Sequence, residues 1–160
     1  MAIGRNTLAE AIVAAFIGAA GTYTNLTGMT AANVKYGTSR PENIKAVLLK
    51  DRKFISVIPG ETVPDPEYPY TIGGHQVVIQ TIGIFIFIHG ADTETDQKLA
   101  VTLAEEAETL IYNTRTPTTG WNLIGWERTT PDVWGSGRSH VVRTFYMEFL
   151  YRKVGTEGVP

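Results

Sequence analysis

A run of apolar residues from Val77 to Ile88 constrains the fold more than any other feature of the chain. It overlaps the stretch TIGIFIFIHG at 81–90, in which the even positions 82–88 are all isoleucine and the odd positions Phe85 and Phe87 are also apolar. Successive side chains of a β-strand point to opposite faces, so a half-buried strand alternates apolar with polar residues. The run therefore predicts a strand with two apolar faces, each of which needs a cover.

Neither this run nor the N-terminus is predicted to cross a membrane. A spanning helix needs about 20 apolar residues, and the run is shorter than that. The Ala-rich opening mimics a signal peptide around its basic Arg5, but Thr7 and Glu10 have the spacing of a capping box. Apolar residues then recur at helical period, so we predict an amphipathic helix over 7–19.

A second helix is predicted after Gly90, and it is the most clearly defined of the chain. Asp92 and Thr93 are potential N-caps, and the helical pattern continues to about Asn113. The face opposite its apolar stripe is acidic, and from the residues alone we expect it to face solvent. The apolar stripe consists of Leu99, Ala100, Leu103, Ala104, Ala107, Leu110 and Ile111.

Two strands are predicted after this helix. The stretch WNLIGWERTT at 121–130 is the first, and 140–154 is a long closing strand. The closing strand also has apolar residues on both faces, because Tyr146 and Leu150 lie opposite the face of Phe145 and Phe149.

Three segments are harder to assign. The Gly-, Thr- and Asn-rich residues 21–38 are interpreted as an extended arm. For 46–58 we predict a hairpin, although Pro41 also permits a short helix that ends near Lys50. Residues 59–70 carry four of the eight prolines, so we predict a stiff exposed loop and no strand.

These elements predict a single α+β domain over residues 1–160, with the arm and the proline-rich loop as excursions. Its mainly antiparallel sheet has about four or five strands, and two helices pack on one face. The chain of 160 residues, 43% of them hydrophobic, is long enough for one core. The predicted core residues are Ile82, Ile84, Ile86, Leu99, Leu103, Phe145 and Phe149.

Two helices on one face leave the other face of the sheet without a cover. An exposed apolar patch of that kind usually marks an interface, so we predict a contact between subunits there. The predicted interface residues are Ile79, Phe85, Phe87, Tyr146 and Leu150. Partner-docking residues are predicted in two loops, at Pro64 and Tyr68 and at Trp134 and Arg138. Trp134 is equally compatible with a place in the core.

No catalytic arrangement is recognisable, and we predict a non-enzymatic protein without metal or cofactor. Cysteine is absent, which excludes disulfides and thiolate chemistry, and the net charge of −2 gives no reason to expect nucleic-acid binding. His75, His89 and His140 are not spaced as metal ligands. Ser139 and His140 are adjacent on a strand, so their side chains point to opposite faces.

The order of these elements resembles the tail terminator proteins of long-tailed bacteriophages, the family of the lambda minor tail protein U. The resemblance covers nearly the whole chain and is one of pattern and order. It starts with the N-terminal amphipathic helix and continues through the following stretches: FISVIPGE, VVIQTIGIFIFIHG, ADTETDQKL, WNLIGWERTT, DVWGSGRS and VVRTFYMEFLYR.

The resemblance implies a structural protein of the virion, located in the tail-neck region and in the host cytoplasm during assembly. Members of the family form a ring, typically a hexamer, that caps the head-proximal end of the tail tube. The ring stops tube polymerisation and presents the surface that joins the head. Implied partners are further copies of the chain, the tail tube protein and a head-completion or connector protein, with a sheath protein added if the tail is contractile. DNA passes through the lumen without specific recognition, and the acidic face of the second predicted helix either lines that lumen or faces solvent.

Two alternatives stay open at the level of sequence. The first is another neck or tail-completion protein with the same fold. The second is a monomeric small-molecule-binding or enzymatic α+β domain, which would need a polar pocket. The longer arm and proline-rich loop depart from smaller members of the family and leave the identity of the partners open.

Overall fold

The computed structural model describes residues 4–19, 23–67, 77–90, 93–134 and 141–153. Their fold is α+β, with three helices and a five-stranded mixed sheet. In chain order the elements are α1 (Arg5–Ile17), β1 (Val34–Tyr36), α2 (Pro41–Asp51), β2 (Lys53–Pro64), β3 (Val78–Gly90), α3 (Glu94–Asn113), β4 (Trp121–Trp134) and β5 (Val141–Lys153).

The strands lie in the order β1-β2-β3-β5-β4. The pairs β2/β3, β3/β5 and β4/β5 are antiparallel, whereas β1 and β2 are parallel. Parallel neighbours need a crossover connection, and α2 is that connection between β1 and β2. The sheet is therefore mixed. The parallel pair of β1 and β2 was not part of the mainly antiparallel sheet that the sequence predicted.

Helices α1 and α3 pack on one face of the sheet, which we call the closed face. On β3 this face carries the isoleucines at 82, 84 and 86, and all three are fully buried. Leu103, Phe145 and Phe149 are buried with them. Helix α3 begins as its sequence predicts, because Thr93 caps it by accepting a hydrogen bond of 3.1 Å from the backbone N–H of Asp96.

Leu99 is the exception among the predicted core residues, since 48% of its surface is exposed. The buried stripe of α3 begins at Ala100. Neighbouring residues of a helix lie about 100° apart around its axis. The orientation that places the small alanines against the sheet therefore turns Leu99 to the edge of the stripe.

The predicted hairpin over 46–58 is wrong, because its first half belongs to helix α2. Pro41 occupies the first helical turn, where a missing N–H costs nothing, and Glu42 lies at the favourable end of the helix dipole. The helix packs on the face opposite α1 and α3, where Ile44 and Leu48 contact Phe54. A third helix thus covers part of the face that was expected to be bare.

The proline-rich segment is only partly a loop. Strand β2 continues to Pro64 and stays paired with β3, with a register shift between Pro59 and Thr62. Beyond Val57, β3 is the only strand of the described chain that pairs with β2, so this part of β2 lies on an edge of the sheet. Proline is tolerated on such an edge, where the ladder does not need its missing N–H. This edge position explains why the expectation of no strand over these residues was wrong.

The segment predicted as an extended arm is largely integrated into the domain. Leu26 and Met29 are buried in the main core, and Val34–Tyr36 forms β1. The carboxylate of Glu106 on α3 accepts hydrogen bonds from the backbone N–H and side-chain amide of Asn25, at 2.8 and 3.1 Å. The described part of 21–38 therefore packs against the domain and does not project from it.

None of the helices in the described ranges is both long enough and apolar enough to cross a lipid bilayer.

Candidate interaction surface

The face of the sheet opposite α1 and α3 is the open face. Its centre is formed by Ile79 and Phe85 from β3 and by Tyr146 and Leu150 from β5, which we call the open patch. The register places Phe85 beside Tyr146, and their ring centroids are 4.4 Å apart. All four side chains are only half-buried. The structure thus brings four of the five predicted interface residues onto one accessible surface.

The fifth residue, Phe87, lies on the same face but belongs to a different environment. It packs against the small cluster beneath α2, and its ring meets that of Phe54 edge-on at 5.9 Å. The prediction that no element of the chain covers Phe87 is therefore wrong. An apolar groove of about 140 Å³ remains between α2 and Phe85, with Ile44, Ser56 and Ile58 among its lining residues.

Gly83 explains how the open patch is packed. A Cβ atom at this position would lie 2.9 Å from Cε2 and 3.0 Å from the hydroxyl of Tyr146. Both distances are too short for a real Cβ contact, so the tyrosine ring occupies the space that a side chain at residue 83 would need. A glycine inside an apolar strand often marks such a close approach. Gly83 was the one signal in the sequence that could have located this contact.

A charged network borders the patch on β4 and β5. The hydroxyl of Tyr146 donates a hydrogen bond of 2.8 Å to the carboxylate of Glu148, which also pairs with the guanidinium of Arg128 at 2.9 Å. Burial, followed by this hydrogen bond, raises the pKa of Tyr146 to about 12. The hydrogen bonds from Arg128 and Tyr146 lower the pKa of Glu148. The network holds the tyrosine ring in place by its polar end.

A second ion pair lies at the end of the sheet where β2 ends and β3 begins. Arg152 of β5 pairs with the buried carboxylate of Asp65 and also reaches Glu67 at 2.8 Å. The pairing raises the pKa of Arg152, chiefly through its hydrogen bond to Asp65. No local sequence pattern predicts this contact, because it joins residues far apart in the chain.

The predicted docking residues fall at opposite ends of the sheet. Pro64 is exposed and pairs with Val78 at the start of β3. Trp134 pairs with Val142, which faces His89 near the other end of β3. The backbone thus separates the two connections by the length of the strands, while Tyr68 and Arg138 lie outside the described residues.

A depression of about 170 Å³ lies beside α3, with basic residues such as Arg52, Lys53 and Arg143 and apolar residues such as Leu99 and Leu103 in its lining. The Lys53 ammonium donates hydrogen bonds to the backbone carbonyls of Asn25 and Thr27, at 2.8 and 3.2 Å. Burial lowers the pKa of Lys53. These contacts give the lysine a structural role, because they hold the α1–β1 connection against the sheet. In the described chain no three His, Asp or Glu side chains converge as metal ligands would.

The tryptophans and histidines occupy different environments. Trp121 is buried, whereas Trp126 is half exposed on β4. His89 lies near the end of β3 and lines the depression beside α3, while His75, Ser139 and His140 lie outside the described residues.

Comparison with known protein families and with curated protein sequences finds no match to this chain.

Proposed function

We propose that this chain is a subunit of a phage tail terminator ring, which caps the head-proximal end of the tail tube and offers the surface for head joining. The open patch is the observation that carries the proposal. A half-exposed aromatic and aliphatic surface on a sheet is typical of protein contacts. In the proposed ring, the neighbouring subunit provides the cover that the chain itself lacks.

The layout of the domain agrees with the geometry that a ring requires. A closed ring is built from a heterologous contact between two different patches of each subunit. The open patch lies on one side of the sheet, and α1 and α3 form the opposite side. In this proposal the connections after Pro64 and Trp134 face different partners, one at the tube and the other at the head connector, because they leave opposite ends of the sheet.

The decisive experiment is electron microscopy of tails assembled with and without this protein. We expect tails of uniform length when it is present and overlong tails of variable length when it is omitted. A ring that joins heads to tails without any effect on tail length would instead identify another neck or tail-completion protein. If tail length and head joining are both indifferent to the protein, the proposed function is wrong.

The open patch can be tested separately with Phe85→Asp. Phe85 is half-buried, so we expect the variant to keep its circular dichroism spectrum and to lose the concentration-dependent increase in mass that light scattering measures. The matched control is Ile124→Asp, which places the same charge at an exposed apolar residue of β4. Unfolding of the Phe85 variant, or equal loss of assembly in the control, would contradict the role of the patch.

A further inference from the structure

The N-terminal end of α1 has no side chain that satisfies the start of the helix. The first N–H groups of a helix have no acceptor within the helix, so a side chain, water or a ligand supplies one. In α1 the N-cap is Gly4, no side chain of the described chain caps it, and the first turn contains no acidic residue. Gly4 has a φ of 83°, in the left-handed region, and the right-handed helix begins at Arg5. This change of hand directs successive backbone N–H groups into one concavity, an arrangement that binds anions.

A buried indole N–H lies at the same place. Trp121, at the start of β4, is 1% exposed, and its Nε1 atom has no hydrogen-bond partner in the described part of the chain. This nitrogen lies 3.8 Å from the position that a Cβ atom on Gly4 would take. Buried donors without an acceptor are costly and rare in native proteins. Trp121 is therefore an independent sign that an acceptor belongs beside the start of α1.

Lys153, at the end of β5, brings a positive charge to this space. Its Nζ atom lies 3.6 Å from the Cβ position of Gly4 and 5.1 Å from the centroid of the Trp121 ring. Apart from the residues next to Gly4 in the chain, no other described atom lies within 4 Å of that position. An oxygen atom near it is therefore close to hydrogen-bond range of both nitrogens. The side chain that glycine lacks leaves room for one acceptor between two donors.

We propose that the start of α1 is a binding site for a small oxyanion of the phosphate class. One oxygen atom lies in the space beside Gly4 and accepts hydrogen bonds from the Trp121 indole and the Lys153 ammonium. The other oxygens accept from the N–H groups of the first helical turn, where the positive end of the helix dipole also favours negative charge. Phosphate suits these donors better than a carboxylate, because it has more oxygen atoms and a larger charge. This site does not depend on the proposed ring.

The indole N–H of Trp121 reports directly on the site. In the proton–nitrogen correlation spectrum each of the three tryptophans gives one indole signal, and the signal missing from Trp121→Phe identifies that residue. Titration with inorganic phosphate at constant ionic strength should shift this signal until it saturates. The indole of Trp126 donates to Thr129 at 3.0 Å, so its signal should not move. Absence of a saturable shift, or equal shifts of both signals as a general salt effect would give, would overturn the proposal.

Acetate tests the class of anion. It has two oxygen atoms and a single charge, so it should shift the Trp121 signal only at higher concentrations than phosphate does. Saturation by acetate at equal or lower concentrations would overturn the assignment to the phosphate class.

Two glycine variants locate the site. Gly4→Ala places a methyl group where the oxygen atom is proposed, and it should abolish the phosphate-dependent shift. The matched control is Gly37→Ala, because Gly37 also has a left-handed φ, of 77°, and nothing lies within 4 Å of its added Cβ. The control carries a similar backbone strain away from the site and should bind phosphate as the parent chain does. Undiminished binding by Gly4→Ala, or equal loss in the control, would refute the site.

Lys153→Gln provides a test that leaves the backbone of α1 unchanged, and it decides the matter if Gly4→Ala does not fold. The variant removes the ammonium charge and should weaken phosphate binding by about tenfold, as the loss of one charge-assisted hydrogen bond does. A dissociation constant equal to that of the parent chain would contradict the role of Lys153 and with it the proposed site.

Discussion

The two faces of the sheet differ in how completely they are covered, although the same strands supply both. On the closed face α1 and α3 bury the isoleucines of β3 completely. On the open face the short helix α2 covers only the end around Phe87, and Ile79 and Phe85 remain half-buried. One strand can therefore complete the core of its own subunit with one set of side chains and offer the other set to a neighbour.

The largest expected effect distinguishes the faces directly. Ile82→Ala empties a fully buried site on the closed face and should lower the free energy of unfolding by about 3 kcal/mol. Ile79→Ala, three residues away on the open face, should cost less than about 1 kcal/mol. Denaturant unfolding of both variants measures the difference. Equal losses would mean that both faces are equally covered within one subunit.

A smaller effect is expected from Gly83→Ala, which forces the ring of Tyr146 off the sheet. We expect a loss of about 1–2 kcal/mol in the free energy of unfolding. Gly125→Ala is the control, because nothing lies within 4 Å of its added Cβ. In a Tyr146→Ala background the cost of Gly83→Ala should disappear. An unchanged cost there would show that the clash is not with this ring.

The two tyrosines of β5 allow the faces to be compared through the stability that a single hydrogen bond contributes, about 1 kcal/mol. Tyr146→Phe removes the hydrogen bond to Glu148 on the open face and should destabilise the fold by about that amount. Tyr151 lies on the closed face, and its buried hydroxyl has no hydrogen-bond partner among the described residues. Tyr151→Phe should therefore leave the midpoint of thermal unfolding unchanged or raise it. A lower midpoint would indicate a partner for that hydroxyl.

The smallest effect concerns Glu148 and pH. Hydrogen bonds from Arg128 and Tyr146 hold its pKa below its ordinary value of 4.5. Its contribution to stability is therefore present above that value and is lost as the pH falls through the folded-state pKa. Glu148→Gln should make the unfolding free energy less dependent on pH in this acidic range. An unchanged pH profile would show that the network contributes nothing measurable.

Local patterns were sufficient for much of the closed face. The periodicity of α1 and α3, the Thr93 cap and the apolar runs of β3 and β5 depend on residues close together in the sequence. Most of the predicted core followed from them. Leu99 was wrongly placed in the core because an apolar stripe does not fix the rotation of the helix about its own axis. A small rotation decides whether a residue at the margin of the stripe faces the sheet or solvent.

The open patch was predicted in outline, and its supporting contacts were not. The pairing of Arg152 with Asp65 joins residues 87 positions apart, and no local pattern relates them. The same is true of Tyr146 over Gly83. Over so short a segment, the sequence pattern supported a helix and a strand about equally. The contacts of Ile44 and Leu48 with Phe54 are compatible only with helix α2.

The sequence by itself determined that this chain has a long strand with two apolar faces and too few long helices to cover both. That conclusion depends only on the alternation of side chains along a strand. The tertiary structure decided which face α2 covers, that β1 pairs in parallel with β2, and that prolines fit on the sheet edge beyond Val57. These features depend on which distant segments of the chain become neighbours. Contacts between remote residues determine which face of a helix is buried, and the absence of a neighbouring strand is what allows a proline without an N–H on the sheet edge.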